Sequence, residues 1–386
     1  MIFAPLSGLY IHIPYCRQVC YYCDFHFRVA MKDRDAMLAA MKREIDLRIG
    51  EQHVLPLPIK TIYFGGGTPS VLTIDDLAGL VKTVSQYATF DANAEITLEA
   101  NPDDLNEDYL AALLSLGFNR LSIGIQSFFD DDLKWMNRRH RAGKAVQSVE
   151  NAHRTGFHNI NIDLIYGLPS MTPMRWEANL KQALALDVPH LSAYHLTVEP
   201  RTVFGKRLKK GETFAITEDE SAAQFDILLD TMEKAGYEHY EISNFARPGF
   251  RSRHNTAYWQ QQPYIGVGPA AHSYDGKSRQ WNISNNSGYI IALESESVWF
   301  EREELTPAEQ YNEYILLSLR TDNGVNIYNI RGNFGDIFAD EFLRQAALYL
   351  QNGYIQERAG IFTLTRKGKM IADRIASDLF CATPVV

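Results

Sequence analysis

Three cysteines near the start of the chain have a spacing suited to metal binding. Cys16, Cys20 and Cys23 form a CxxxCxxC pattern within eight positions, and Cys381 is the only other cysteine in 386 residues. Four cysteines in a chain of this size are not a disulfide framework, and clustered thiols are more typical of metal ligands or redox groups. A protein-bound 4Fe-4S cluster usually takes four cysteine ligands. Three thiolates would leave one iron open to a cofactor or substrate. The alternatives are three buried thiols or a zinc site completed by a distant histidine. We expect Cys381 to take no part.

The elements that must position this loop alternate between strands and helices. Apolar periodicity predicts six strand–loop–helix units in the first ~200 residues, which implies a parallel sheet with crossover helices. Functional groups of such folds lie beyond the carboxyl ends of the strands. We therefore predict an α/β fold, an incomplete (β/α)6 barrel with one open side. The predicted strands are 8–14, 60–64, 95–100, 120–125, 159–165 and 190–196.

A glycine-rich run follows the second predicted strand. In Gly65-Gly66-Gly67-Thr68-Pro69, the glycines let backbone amides approach a carboxylate or amino group closely. Together with the cysteine loop, this run makes the chain resemble radical S-adenosylmethionine (SAM) proteins, in the branch of oxygen-independent coproporphyrinogen III oxidase. The resemblance implies that the amino and carboxylate groups of SAM chelate the open iron of a 4Fe-4S cluster. It also implies that the following residues contact SAM or its surroundings: Tyr10, Gly66, Gly67, Thr68, Glu99, Gln126, Arg138 and Asp163.

Two departures separate this chain from the oxidase pattern. The oxidase continues as CxxxCxxCxC, whereas Phe25 stands here two positions after Cys23. The oxidase also carries a longer arm ahead of its cluster, and only fifteen residues precede Cys16. Both features oppose porphyrinogen decarboxylation. They resemble instead the sister group of heme chaperones, the HemW type.

That group has a second motif, HNxxYW, which is present here from His254 to Trp259. An imidazole beside large aromatic side chains fits a heme site, because histidine ligates iron axially and the rings offer flat apolar surface. We predict that His254 ligates the heme iron. The residues predicted to shape the pocket are Asn255, Tyr258 and Trp259, and the rival ligands are His195 and His272.

The pattern divides the chain into three parts. Residues 1–215 form the radical SAM partial barrel, residues 216–300 complete the barrel and carry HNxxYW, and residues 301–386 form a winged-helix-like domain. A lid or packing role is favoured for this last domain over DNA binding, because its basic cluster is small and the chain carries a net charge of −9. The cluster consists of Arg366, Lys367, Lys369 and Arg374.

We predict a cytoplasmic heme chaperone that binds a 4Fe-4S cluster, SAM and heme. The resemblance implies that it holds heme and delivers it to respiratory hemoproteins. No nucleic-acid partner is expected from the acidic balance. Peripheral membrane contact, a homodimer and SAM cleavage stay open. The alternatives are coproporphyrinogen III dehydrogenase, a radical enzyme acting on another bulky substrate, and a binding module without a cluster.

Overall fold

The computed structural model describes residues 8–51, 58–212 and 216–381. Its largest feature is a twelve-stranded sheet with the order β12-β11-β10-β9-β1-β2-β3-β4-β5-β6-β8-β7. The strands are β1 (Gly8–Ile13), β2 (Ile59–Gly66), β3 (Phe90–Ala100), β4 (Arg120–Gln126), β5 (Asn159–Tyr166), β6 (His190–His195), β7 (Glu238–Glu241), β8 (Asn244–Ala246), β9 (Tyr264–Val267), β10 (His272–Tyr274), β11 (Ser278–Asn282) and β12 (Phe300–Glu304).

Helices connect these strands as the sequence pattern predicts. In the sheet-forming part they are α1 (Arg34–Ile45), α2 (Ile74–Tyr87), α3 (Glu107–Ser115), α4 (Asp130–Trp135), α5 (Ala142–Thr155), α6 (Pro173–Ala185), α7 (Val203–Leu208), α8 (Glu218–Lys234), α9 (Arg253–Trp259) and α10 (Asn286–Glu294). Local signals set several starts. Thr73 and Asp76 form a capping box at α2, and Thr172 caps α6 ahead of Pro173.

Strands β1 to β6 are parallel neighbours, each paired with the next along the chain. Their apolar side chains are buried almost continuously, since crossover helices pack on the sheet. This arrangement confirms the α/β fold and the incomplete (β/α)6 barrel. Among the described residues the sheet does not close, because β12 and β7 lie at opposite edges.

The segment 216–300 extends the sheet at both edges. The hairpin β7–β8 pairs with β6, whereas β9 pairs in parallel with β1 and leads into β10 to β12. The predicted boundary at 300 falls at the start of β12, which belongs to this sheet, and residue 215 at the other boundary lies outside the described residues.

The C-terminal domain has its own core and a three-stranded antiparallel sheet in the order β13-β15-β14. Its basic side chains lie against the barrel: Arg366 contacts Asp226 at 2.6 Å, and Lys369 contacts His239 at 2.9 Å. Its elements are α11 (Pro307–Leu319), β13 (Val325–Asn326), α12 (Ile327–Phe334), α13 (Asp336–Gln351), β14 (Ile355–Arg358), β15 (Ile361–Leu364), α14 (Arg366–Lys369) and α15 (Ala372–Asp378).

Over the described ranges, none of the helices combines the length and the apolar character that crossing a membrane requires.

Candidate cysteine-lined cofactor site

A cavity of about 400 Å³ lies at the carboxyl ends of β1 to β6. Parallel strands bring their carboxyl ends to one edge of the sheet, so the polar residues that follow different strands meet there. The three cysteines Cys16, Cys20 and Cys23 line this cavity. So do seven of the residues predicted to contact SAM, namely Gly66, Gly67, Thr68, Glu99, Gln126, Arg138 and Asp163.

Backbone hydrogen bonds hold the cysteine loop against the glycine run. The Gly67 amide donates to the Ile13 carbonyl at 2.8 Å, and the Thr68 amide donates to the Tyr15 carbonyl at 2.7 Å. A Cβ atom on Gly67 would lie 2.5 Å from the Tyr15 carbonyl oxygen, closer than any side chain tolerates. Glycine at position 67 is therefore required for the two loops to touch, whatever it contributes to ligand binding.

The thiols have polar partners inside the cavity. Thr68 Oγ1 donates to Cys16 Sγ at 3.3 Å, and Arg138 Nη1 donates to Cys20 Sγ at 3.3 Å. Burial raises the pKa of Cys16 to about 12 and that of Cys23 to about 11. These two cysteines are therefore thiols in the metal-free protein, and binding iron would release their protons.

The donor set fits an iron–sulfur cluster, in which each of three cysteines can ligate a different iron. Among the described residues, no group of three or more His, Cys, Asp or Glu side chains is arranged around one ion position. Hydrogen bonds to the sulfurs of Cys16 and Cys20 are also a means by which proteins tune such clusters. Cys16, Cys20 and Cys23 therefore suit three irons, as the spacing predicts.

Arg138 joins the cysteine loop to the end of β4. Besides Cys20, it contacts the Gly124 carbonyl through Nη2 at 2.6 Å, while its buried Nε has no acceptor in the described part of the chain. A Cβ atom at Gly124 would lie 2.8 Å from Nε2 of the Gln126 side chain. Gln126 has a φ of 71°, where the β4–β5 register also shifts. This left-handed backbone is uncommon for a residue with a side chain, and such strain is concentrated at functional sites.

Two carboxyl groups reach the cavity from β3 and β5. Glu99 accepts hydrogen bonds from Tyr63 Oη at 2.7 Å and from the Gly66 amide at 3.2 Å, and Asp163 accepts one from Asn161 at 2.8 Å. Burial raises the pKa of Glu99 to about 7 and that of Asp163 to about 6. When ionised, both carboxylates can accept from hydroxyl groups such as those of a ribose.

Tyr10 does not line the cavity. Its hydroxyl lies 3.1 Å from His12 Nδ1, and its ring is stacked near that of Tyr63 with centroids 6.2 Å apart. Direct contact of Tyr10 with SAM stays a prediction.

The HNxxYW motif lies in α9, which packs inside the barrel near the start of β1 and β2. His254 Nδ1 lies 2.8 Å from Thr61 Oγ1, and Nε2 lies 2.7 Å from the Tyr258 hydroxyl one helical turn later. The imidazole is only 1% exposed, and its ring stacks on Tyr63 at 5.1 Å. Burial lowers its pKa to about 3, so the ring is neutral near pH 7.

His254 is not among the residues that line the cysteine-lined cavity. Tyr63 lies between them, since its ring stacks on the imidazole at 5.1 Å and its hydroxyl donates to Glu99 at 2.7 Å. Both ring nitrogens already have hydrogen-bond partners, and iron ligation would require one of these bonds to break. The guanidinium group of Arg320 lies over the indole ring of Trp259. The backbone amide of Asn255 donates to the Ser252 hydroxyl. Heme binding at this motif stays a prediction.

Several cavity residues were missed by the sequence reasoning. Phe25 and His195 both line the cavity, whereas the sequence marks Phe25 only as a departure from a motif and His195 only as a rival heme ligand. The other rival, His272, is not among the lining residues. The signal that could have found these two residues is their position, since Phe25 lies two residues after Cys23 and His195 is the last residue of β6. Further lining residues are Arg17, Phe27, Ser122, Arg139 and Tyr194.

Comparison with known proteins agrees with this geometry. The radical SAM superfamily matches residues 10–183, and the HemN C-terminal domain matches residues 305–371. The heme chaperone HemW of Bacillus subtilis (strain 168) is 35% identical over 96% of this chain and 98% of its own. HemW of Escherichia coli (strain K12) is 36% identical over 99% and 100%. The E. coli radical SAM enzyme coproporphyrinogen III oxidase (HemN) superposes with a TM-score of 0.85 at 25% identity, over 99% of this chain and 91% of the other.

An incomplete parallel barrel with a CxxxCxxC loop after its first strand defines a radical SAM protein. Within that class, the branch follows from the 35% and 36% identity to the two HemW relatives, which extends over nearly the whole chain. The chain belongs to the coproporphyrinogen III oxidase-like family, in its HemW branch.

Proposed function

We propose that this chain is a radical SAM heme chaperone that binds a 4Fe-4S cluster and SAM in the cysteine-lined cavity and delivers heme to respiratory hemoproteins. The observation that carries the cofactor part is the meeting of the three cysteines with the seven residues of the family pattern around one cavity. The relatives named heme chaperones support the heme part. The proposal places the protein in the cytoplasm, where its cysteines would stay reduced.

The cavity residues have distinct roles in this proposal. When bound, the cluster offers SAM an open iron and a source of one electron. Gly66 and Gly67 leave room for the SAM amino acid group beside the cysteine loop, and Arg138 pairs with its carboxylate. Glu99 and Asp163 accept hydrogen bonds from the ribose hydroxyls, which favours their ionised forms once SAM is bound.

The second candidate is oxygen-independent coproporphyrinogen III dehydrogenase, because the fold matches HemN over almost the whole chain. In that case the cavity would hold a propionate side chain of the substrate beside SAM, which would supply the radical chemistry. Phe25, standing where the oxidase pattern has a further cysteine, argues for the chaperone.

One experiment separates the two candidates. The protein is reconstituted anaerobically with iron and sulfide, titrated with heme, and assayed in parallel for conversion of coproporphyrinogen to protoporphyrinogen. The chaperone proposal predicts saturable heme binding at one site and no conversion. Conversion coupled to 5′-deoxyadenosine release would establish the dehydrogenase instead, and a colourless protein after reconstitution would contradict both.

A further inference from the structure

Phe25 is an exposed aromatic side chain in a concave site. Its side chain lines the cysteine-lined cavity, yet it is 72% exposed. Ligand pockets are lined mainly by hydrophobic and aromatic side chains. Phe27, Ile165 and Leu196 line the same cavity and extend its apolar surface. A flat apolar ligand would cover the Phe25 ring, which the protein itself leaves open to solvent.

Two cations at the cavity match a ligand that carries carboxylates. Arg17 pairs with Asp104 at 3.1 Å, and Arg139 pairs with Asp103 at 2.9 Å, but the arginine side chains remain 49% and 41% exposed. A guanidinium group has five N–H donors, so one carboxylate leaves donors over for a second. Both arginines also line the cavity.

An imidazole completes this donor set. Within the described residues, His195 is the one histidine that lines the cavity, at the end of β6, and it is exposed. The segment that follows β6 reaches the cysteine loop, because Arg201 pairs with Asp24 at 2.8 Å and the Phe204 amide donates to Tyr21. The cavity is therefore bordered by the loop that carries Phe25 and by the strand end that carries His195.

We propose that heme docks at the mouth of this cavity, with Phe25 against its flat face, Arg17 and Arg139 at its carboxylates and His195 as the iron ligand. Heme combines a flat apolar ring, two carboxylates and an iron that imidazole ligates, so each of these groups has a match. The inference rests on the proposed function that the chain binds heme. It assigns the site to the cavity instead of the HNxxYW helix, where His254 is enclosed and bonded at both ring nitrogens.

The test is a heme titration of the reconstituted full-length protein, followed by the Soret absorbance. We expect Phe25→Ala to weaken binding about tenfold, the effect of losing a stacking contact worth about 1.4 kcal/mol. We expect His195→Ala to shift the Soret band and weaken binding by at least as much. Matched controls are Met174→Ala, which removes an exposed apolar side chain outside the cavity, and His272→Ala.

His254→Gln supplies the decisive comparison. Glutamine can keep hydrogen bonds to Thr61 and Tyr258, so this variant stays informative even where the alanine variant fails to fold. Heme affinity within twofold of wild type in this variant, with loss in Phe25→Ala and His195→Ala, supports the inference. Loss of heme only in His254→Gln, with circular dichroism and iron content unchanged, would place the site at HNxxYW and overturn it. If the wild-type protein binds no heme, the proposed function fails. That result differs from a loss of heme binding in only some of the variants, which concerns the position of the site alone.

Discussion

Arg138 donates a hydrogen bond from Nη1 to the sulfur of Cys20 at 3.3 Å. The same guanidinium group reaches the Gly124 carbonyl through Nη2 at 2.6 Å. One side chain therefore connects the cysteine loop with the end of β4, and fixes both relative to the cavity. A planar group with several donors can make both bonds at once, whereas an ammonium group is a point charge on a flexible stem.

Replacement of Arg138 by lysine tests this connection. Lysine keeps the charge but not the fork of donors, so we expect SAM affinity to fall about tenfold, equivalent to about 1.4 kcal/mol. Isothermal titration calorimetry on the reconstituted protein measures the change. Arg141→Lys is the control, since that side chain is 85% exposed and its nearest carboxylate, on Asp130, lies 3.7 Å away. Equal affinity in Arg138→Lys and wild type would show that the fork does not matter for SAM.

The three cavity cysteines should be individually necessary for the cluster. Serine at position 16, 20 or 23 removes one thiolate, and we expect iron content to fall from about four per chain to near zero. Iron and sulfide analysis with electron paramagnetic resonance measures this loss. Cys381→Ser is the control, because Cys381 lies in the C-terminal domain next to Asn312 and should leave the cluster intact. A full cluster in any one of the three serine variants would contradict the ligand assignment.

Gly67→Ala should disrupt the contact between the two loops. The new methyl group would lie 2.5 Å from the Tyr15 carbonyl oxygen and 2.8 Å from that of Ile13, and both are backbone atoms that cannot rotate away. We expect a loss of stability of a few kcal/mol, in the range for severe overpacking, and poor cluster assembly. Thermal unfolding and iron content measure the two effects.

Gly143→Ala is the matched control for this prediction. Nothing lies within 4 Å of a Cβ at Gly143, which is exposed in the first turn of α5. Alanine is the better helix former by about 1 kcal/mol, so this variant should be as stable as wild type or more so. Similar losses in both variants would show that the loop contact is not the cause.

Glu99 should make stability depend on pH. Because burial raises its pKa to about 7 from an ordinary 4.5, the folded protein retains a proton that the unfolded chain releases between these values. Stability falls as pH rises through that window, and the loss is complete above about pH 7. Glu99→Gln removes this titration, so the melting temperature of the variant should rise relative to wild type between pH 5 and pH 8.

The control for Glu99 is Glu107→Gln, an exposed carboxylate paired with Arg154 on the surface. Its melting curve should run parallel to wild type over the same pH range. A parallel curve for Glu99→Gln as well would refute the raised pKa. SAM binding should weaken in Glu99→Gln at pH 8, because the carboxylate that accepts from the ribose is lost.

His254→Ala should destabilise the barrel regardless of where heme binds. The substitution removes the hydrogen bonds of the imidazole to the Thr61 and Tyr258 hydroxyls and opens a cavity beside Tyr63. We expect a loss of about 3 kcal/mol in the free energy of unfolding, measured in urea. His158→Ala, on an exposed histidine, should change it by less than about 0.5 kcal/mol. An equally stable His254→Ala protein would show that the imidazole contributes little to the barrel.

Local patterns in the sequence were sufficient for the architecture. The alternation of apolar strands with capped helices predicts the parallel barrel, and capping boxes such as Thr73 with Asp76 act within four residues of the helix start. The CxxxCxxC spacing predicts the metal-binding loop for the same reason, since its ligands lie in one short stretch. The family resemblance then supplied seven residues that the structure gathers at the cavity.

The tertiary structure alone decided which histidine faces the cavity. The HNxxYW motif marks His254 as conspicuous, but its surroundings depend on Thr61, which is 193 residues earlier in the chain. Pairing of β9 with β1 and packing of α9 inside the barrel enclose that imidazole. His195, in contrast, is the last residue of β6 and is exposed. Burial is a property of long-range packing, so a motif indicates which residues are notable and cannot state what surrounds them.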